Sequence, residues 1–324
     1  MKFDKKSLMI GLLAGVTAAL LVLGALNHAS LAFLLYAIST LPILIAGLGW
    51  GNAAAAAAVV VGGLTIAGGV GAKAALFVSL VSFLPAGWIS HLANLARPAA
   101  ELGGPKDMLA WYPLPNILLH LCGLVAAAAV VTGFMIGYGP ELVDQMVDMM
   151  VTVSAQDPAA PTMDADAIAQ TKRVLVHILP AIQGMSWVFT QFFTYYIATR
   201  VVAPSGRSVR PRENIASSLR MNRNAIFIFL GGLALAFVDG PLGYVGAAVC
   251  GAFGAGFLLA GFAVLHFRTQ GKAFRLPLLI LTYLACMVLA FPALVVLVFG
   301  LADTRQAIPL TSAPGAGNSD TPKS

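Results

Sequence analysis

Charged residues punctuate this chain between long apolar runs. No Asp, Glu, Lys or Arg occurs between Lys6 and Lys73, between Asp107 and Glu141, between Arg173 and Arg200, or between Arg275 and Asp303. One helix needs about 20 successive apolar residues to cross a bilayer core. The runs therefore predict an all-α, polytopic transmembrane helix bundle. Divided at their polar breaks they give about nine spans, near residues 8–26, 31–48, 53–70, 74–96, 117–138, 174–202, 225–238, 243–266 and 276–301. The seventh is short and extends if Arg220 and Arg223 snorkel to the interface. Lys2, Lys5 and Lys6 resemble the start of a secretory signal, but the apolar stretch behind them is longer than a signal's ~7–15 residues, and Asn27-His28-Ala29 is a poor cleavage site. The first run reads as an uncleaved span.

Composition agrees: 59% of residues are apolar and 10% charged, against about a quarter charged in soluble domains. A water-solvated globule is excluded. Lys and Arg favour the cytoplasmic side of membrane helices. With the N-terminus cytoplasmic, 14 of the 19 cations fall inside and nine of the 13 acids outside. That split predicts a C-terminus outside. It also predicts a single transmembrane domain over residues 1–305, a basic cytoplasmic loop at 203–224 and a disordered tail at 306–324 rich in Pro, Gly, Ser and Thr.

The six arginines of residues 200–223 read as a positive-inside anchor that touches anionic lipid. With no interleaved aromatic residue for base stacking, the loop predicts no nucleic-acid partner. Cys122, Cys250 and Cys286 are odd in number and lie in apolar runs, so they read as small buried hydrophobes.

Spans associate through close contact of small residues. Gly243, Ala247, Gly251 and Ala255 form such a ladder, and Leu at Gly251 should force helices apart. Ala54, Ala58 and Gly62 form a second face. Gly11 and Gly15 form a third, which is free to receive a partner protein. Pro42, Pro85, Pro180, Pro277 and Pro292 lie within or at the edge of spans; a mid-span proline frees a carbonyl that neighbours or water must satisfy.

Polar residues at membrane depth are candidate functional groups. Gln183, Trp187, Gln191 and Thr194 recur on one face of the sixth span, with Thr190 beside them. That face suits either a pocket for a small solute or an interhelical hydrogen-bond zipper. His91, Asn94, Asn116, His120 and His266 fall near the inner ends of their spans and suggest a polar vestibule. They lack the carboxylates and close spacing of a metal site, so no metal is predicted. Asp239, in Val-Asp-Gly-Pro, reads as the start of an outer turn.

The outer loop at 139–173 predicts an amphipathic helix, with Leu142, Met146, Met149, Met150 and Val153 opposite Glu141, Asp144 and Asp148. Asp157-Pro-Ala-Ala-Pro should break it, and Asp164 should cap the helix that follows. The loop reads as either a lid or a passive surface helix.

There is no G-x-x-x-x-G-K-[ST], H-E-x-x-H or G-x-S-x-G, and no acid pair within a span. The chain reads as no enzyme and as needing no cofactor.

Trp111-Tyr112-Pro113, the segment from Phe257 to His266 and Gly300-Leu-Ala-Asp303-Thr-Arg305 resemble the YybS-like predicted bacterial membrane proteins, a family of unknown function. That group looks distantly similar to the substrate-binding membrane components of energy-coupling-factor vitamin transporters. The same broad group includes a cell-shape protein that acts by assembly. The resemblance implies a multi-pass protein of the bacterial inner membrane. Its bilayer-embedded bundle would bind a small-molecule ligand without its own ATPase, beside other membrane subunits. The second reading is a non-transporting scaffold for envelope or cell-division machinery.

Overall fold

In the computed structural model, residues 4–156, 164–208, 210–305 and 308–312 are described. The protein is a helical membrane bundle, and six of its described helices are long and apolar enough to cross a bilayer. The chain forms two compact units, one of Met1–Leu121, Thr190–Asn222 and Phe257–Ser324, the other of Cys122–Phe189 and Arg223–Gly256.

The first unit begins with α1 (Lys5–Asn27), α2 (Ala32–Ile38), α3 (Leu41–Trp50) and α4 (Asn52–Gly69). Gly11 of α1 lies against Ala54 of α4, and Gly15 against Ala58 and Gly62. The two small-residue faces thus occupy one another, leaving no room for a Cβ on either glycine. Since position 11 meets 54 and 15 meets 58, α1 and α4 run in the same direction. Next come α5 (Ala72–Val78), a π-helical turn at Ser79–Phe83 and α6 (Leu84–Ala93).

The prolines explain where these helices break. A proline ring excludes the carbonyl four residues earlier from the helical ladder. Pro42 stands four after Ile38, where α2 stops; Pro292 stands four after Val288, where a later helix stops. Pro85 stands four after Val81, inside the π turn.

A small antiparallel sheet, absent from the hydropathy pattern, follows α6. It has the order β1 (Ala96–Pro98), β2 (Met108–Trp111) and β3 (Leu310–Ser312). Ala96 pairs with Trp111, and Met108 with Ser312. The Trp111 indole donates to Thr311 Oγ1 at 2.8 Å. Residues 310–312 are therefore ordered as a strand, in contrast to the predicted disordered tail; residues 313–324 lie outside the described residues.

The sheet also relates the first and last described segments of the chain. β3 lies on the side of the 97–106 loop. Asn94 at the end of α6 donates to Gly47 O near the end of α3 at 2.7 Å, so α3 and α6 end together there. α4 starts directly after α3, and α1 runs parallel to α4, so the Lys5 end of α1 lies on that side too. The Lys5 end of α1 and the strand at 310–312 thus lie on one side of the first unit.

The reason lies in the last apolar run. It is split at Leu289, which is extended, into α13 (Arg275–Val288) and α14 (Ala290–Ala302). At 1.5 Å per residue each is about 20 Å long, short of a core about 30 Å thick. Arg268, just before α13, lies over the Phe299 ring near the end of α14, at 5.9 Å. Both ends of the segment thus share a side, and Met287, Val288 and Phe291 at its turn are widely exposed. The run enters and returns as a hairpin.

α7 (Leu114–Ile136), α9 (Ala165–Val202) and α12 (Pro241–Arg268) each contribute residues to both units. With 38 residues, α9 far exceeds a bilayer core, so its first turns project beyond it. Its polar face keeps it out of the set of strongly apolar helices. Asp164 caps it, accepting from Ala167 N at 2.6 Å.

In the second unit, Gly251 backs onto the Ala181 carbonyl of α9 so closely that a Cβ there overlaps it. Gly246 lies equally close to Leu235 and Ala236 at the end of α11 (Ala225–Leu235). Asp239 is exposed in the turn between α11 and α12, where Gly240 takes φ 80°.

The amphipathic helix forms as α8 (Pro140–Ser154). Its buried stripe is not the methionine face but Val143 and Val147, packed on Val176, Tyr138 and Tyr244. Met146, Met149, Met150 and Val153 are exposed. The stripe runs between the methionine and acidic faces, and Lys172 reaches Asp148 at 2.8 Å and Asp144 at 3.6 Å beside it. These acids hold the Lys172 ammonium above its ordinary range. The predicted break at 157–161 lies outside the described residues.

Candidate functional site

The polar face of α9 meets carbonyls rather than open space where its partners are seen. Gln191 is buried, and its amide nitrogen donates to Val81 O at 3.2 Å and Ser82 O at 2.8 Å. Val81 O is the carbonyl that Pro85 deprives of its helical donor. Beside it, Tyr36 Oη and Ser82 Oγ bond at 2.9 Å. Thr194 Oγ1 lies 3.1 Å from Ala37 O and 2.7 Å from Thr190 O. Further along the helix Gln183 is exposed and Trp187 half-buried. Pro180 repeats the pattern in the second unit, since Tyr138 Oη donates to Val176 O, four residues earlier, at 3.0 Å.

Of the vestibule residues, His91 and His120 meet at Trp88, while Asn94, Asn116 and His266 have other partners. His120 Nε2 bonds Tyr112 Oη at 3.1 Å, and the His91 and His120 rings lie 5.5 and 6.2 Å from Trp88. Asn94 is taken by Gly47 O. Asn116 Oδ1 accepts from Asn222 at 2.9 Å. His266 Nε2 bonds Tyr283 Oη at 2.8 Å. Among the described residues no three His, Cys, Asp or Glu side chains are grouped to hold a metal ion.

The basic loop carries most of the site chemistry. Arg220 is buried, and its Nε lies 3.1 Å from Asp303 Oδ2 while Nη1 donates to Ala216 O and Leu219 O. Arg305 grips both oxygens of the same carboxylate, at 2.8 and 2.7 Å. These two guanidiniums, Arg305 foremost, hold Asp303 well below the usual carboxylate range. Arg207 covers the Trp50 ring at 4.8 Å. Arg210 donates from Nη1 to Ala93 O at 3.2 Å, the carbonyl that ends α6, and from Nε to Glu213 Oε1 at 2.7 Å; its Nη2 reaches the same oxygen. Asn214 caps the short helix α10 (Ile215–Ser218) by accepting from Ala216 N.

Around this loop and the end of α9 lies a cavity of about 380 Å³, lined among others by Tyr195, Tyr196, Arg200, Arg210, Arg212 and Glu213. Its volume is within the ~300–1,000 Å³ typical of small-molecule sites. None of Gln183, Trp187, Thr190, Gln191 and Thr194 lines it. Arg200 is fixed at its rim by Tyr196, whose hydroxyl accepts from Nε and Nη2 at 3.1 and 2.6 Å. Glu213 is the loop's one acid, and its Oε2 is buried with no hydrogen-bond partner among the described residues. The hydropathy reading passed over this residue. The available signal was a lone carboxylate placed three residues after one of six arginines.

Fold and site together define a multi-pass integral membrane protein with a cavity, lined by apolar and charged side chains, at the end of α9. Residues 15–304 match the model of a family described as predicted membrane protein (DUF2232), and the chain belongs to that family. No curated protein and no solved structure matches it.

Proposed function

We propose that this protein binds a small solute from the cytoplasm at the inner ends of its membrane helices, with any energy for transport supplied by partner subunits. The observation that carries the reading is the cavity beside the basic loop, which joins a suitable volume to fixed charged groups. Orientation follows from the cations. With Arg305 on the side of the 97–106 and 203–224 loops, fifteen of the eighteen Lys and Arg up to that residue lie there against Lys73, Lys172 and Arg173 opposite, and the positive-inside rule favours that side as cytoplasmic. The resemblance to the binding components of vitamin transporters, which also lack an ATPase, supports the same reading in a bacterial inner membrane. A scaffold acting through its small-residue faces is less well supported: Gly11, Gly15 and Gly251 already receive the chain's own helices.

The test is a thermal-shift screen of the full chain in nanodiscs against a metabolite panel. A ligand should raise the unfolding temperature of the wild type and of Trp187→Ala, and leave Thr199→Trp, which fills the cavity, unmoved. A panel without any such compound would count against the reading, and a ligand lost only on Trp187→Ala would return the site to the α9 face.

A further inference from the structure

The outer helix α8 carries a face that its packing does not use. Val143 and Val147 are its buried stripe, while Met146, Met149 and Met150 are 44%, 70% and 66% exposed. Contacts run in opposite order along α8 and α9: Tyr138, just before α8, meets Val176, and Asp144 and Asp148 meet Lys172. α8 therefore lies beside the turns of α9 that project beyond the bilayer core, and its methionines stand outside the hydrocarbon. The exposed positions further along α9 are aliphatic, at Val174, Ile178 and Ile182. On α8 they are mostly thioethers: of the six widely exposed methionines among the described residues, three fall here within five positions. Apolarity alone does not call for sulfur. Met149 and Met150 stand three and four residues after Met146, so both are its neighbours on the helix surface, with Cβ atoms about 5–6 Å apart. Three rotatable bonds let each thioether swing toward a common point. Thioether sulfur is a soft donor of the kind that selects Cu(I), whereas hard cations such as Mg²⁺ and Ca²⁺ take oxygen. Glu141, Asp144 and Asp148 on the same helix, offset only in part by Lys172, give the surroundings a negative field that favours a cation.

We infer that α8 binds one soft monovalent metal ion, of the Cu(I) and Ag(I) class, on the sulfurs of Met146, Met149 and Met150. The ion exchanges its solution ligands for sulfur and keeps its oxidation state. The site shares no residue with the cavity beside the basic loop, and it does not depend on the solute-binding reading.

The test is a titration of the full chain with Ag(I), a redox-inert stand-in for Cu(I), in nanodiscs and chloride-free buffer, followed by NMR of isotopically labelled methionine methyl groups. Cys122→Ala, Cys250→Ala and Cys286→Ala together remove competing thiols. The signals of Met146, Met149 and Met150 should move together and stop at one equivalent, while those of Met9, Met135 and Met287, which are exposed singly, follow only in excess. Loss of an outer-shell partner already costs about 10–100-fold in metal affinity, so Met149→Leu, which removes a direct ligand, should weaken binding by at least about tenfold. Leu keeps the volume of Met and the position is exposed, so the unfolding temperature without metal should stay unchanged. Met9→Leu should leave the affinity as it was. If the cysteine-free chain does not fold, the comparison of Met149→Leu with Met9→Leu is made in the wild-type background, where any thiol contribution is common to both. Movement of every exposed methionine signal in proportion would reduce the effect to generic contact between silver and thioether and overturn the inference. So would a concentration-dependent dimer in which the three methionines resist both Ag(I) and peroxide, which would make the face a contact between two copies of this chain.

Discussion

Asp303 shows how far a single residue's role depends on distant partners. Its carboxylate is buried between Arg220, also buried, and Arg305 at the surface. Removing one member of a buried pair leaves the other charge uncompensated, a loss of about 3–5 kcal/mol. Asp303→Asn should therefore lower the unfolding temperature markedly, whereas Arg305→Ala, which removes only the exposed partner, should do less. The sign of the pH dependence follows from the direction of the shift. Because folding depresses the Asp303 pKa, its stabilisation is complete above the unfolded value of about 3.9 and is lost as pH falls through the lower folded value. Thermal melts should show the full gap between wild type and Asp303→Asn from pH 7 to pH 5, closing only in strong acid. A gap that closes near neutrality would refute this assignment. The arginines were legible as a cluster of cations. Their division into buried struts and a cavity rim was not, because Asp303 stands far along the chain and nothing local marks it as the partner of Arg220.

At the scale of elements, the prolines were the most legible feature. Each predicts a freed carbonyl, and the structure shows a side chain at two of them: Gln191 at Val81 O and Tyr138 at Val176 O. Which side chain answers which carbonyl was hidden, since helix periodicity gives a face and not the neighbour opposite. That is why the sequence left Gln191 and Thr194 open to either a pocket or a zipper. The zipper makes a coupled prediction. Interhelical hydrogen bonds in membranes contribute about 0.6 kcal/mol on average and up to about 1.7. Gln191→Leu should destabilise the bundle by roughly that amount. In a Pro85→Ala background, where residue 85 regains an N–H for Val81 O, the same change should be less harmful. A double-mutant cycle measured by reversible unfolding in mild detergent reads the coupling, and strict additivity would separate Gln191 from the proline break.

For the whole molecule, the number of crossings decides which side every loop occupies. Charge-free length located the apolar helices from Lys5–Asn27 to Leu114–Ile136 to within a few residues. At residues 276–301 the same rule is not enough, because length alone cannot tell a span from a hairpin of equal length. Pro292 near the middle was the available sign: it ends α13 at Val288, and β3 then pairs with β2 on the side from which the run set out. Non-helical backbone at membrane depth is tolerated where protein buries it or where it lines a water-filled cavity. Reporter fusions at the two ends of the chain should therefore report the same compartment, the cytoplasm. Single cysteines introduced into a variant lacking Cys122, Cys250 and Cys286 test the hairpin itself. A cysteine at Val288 should resist a membrane-impermeant thiol reagent from both sides. One at Lys272, in the turn before α13, should react from the cytoplasmic side only. Labelling of the Val288 position from outside would make the last run a crossing. It would place Asp303 across the membrane from Arg220, which their 3.1 Å ion pair forbids.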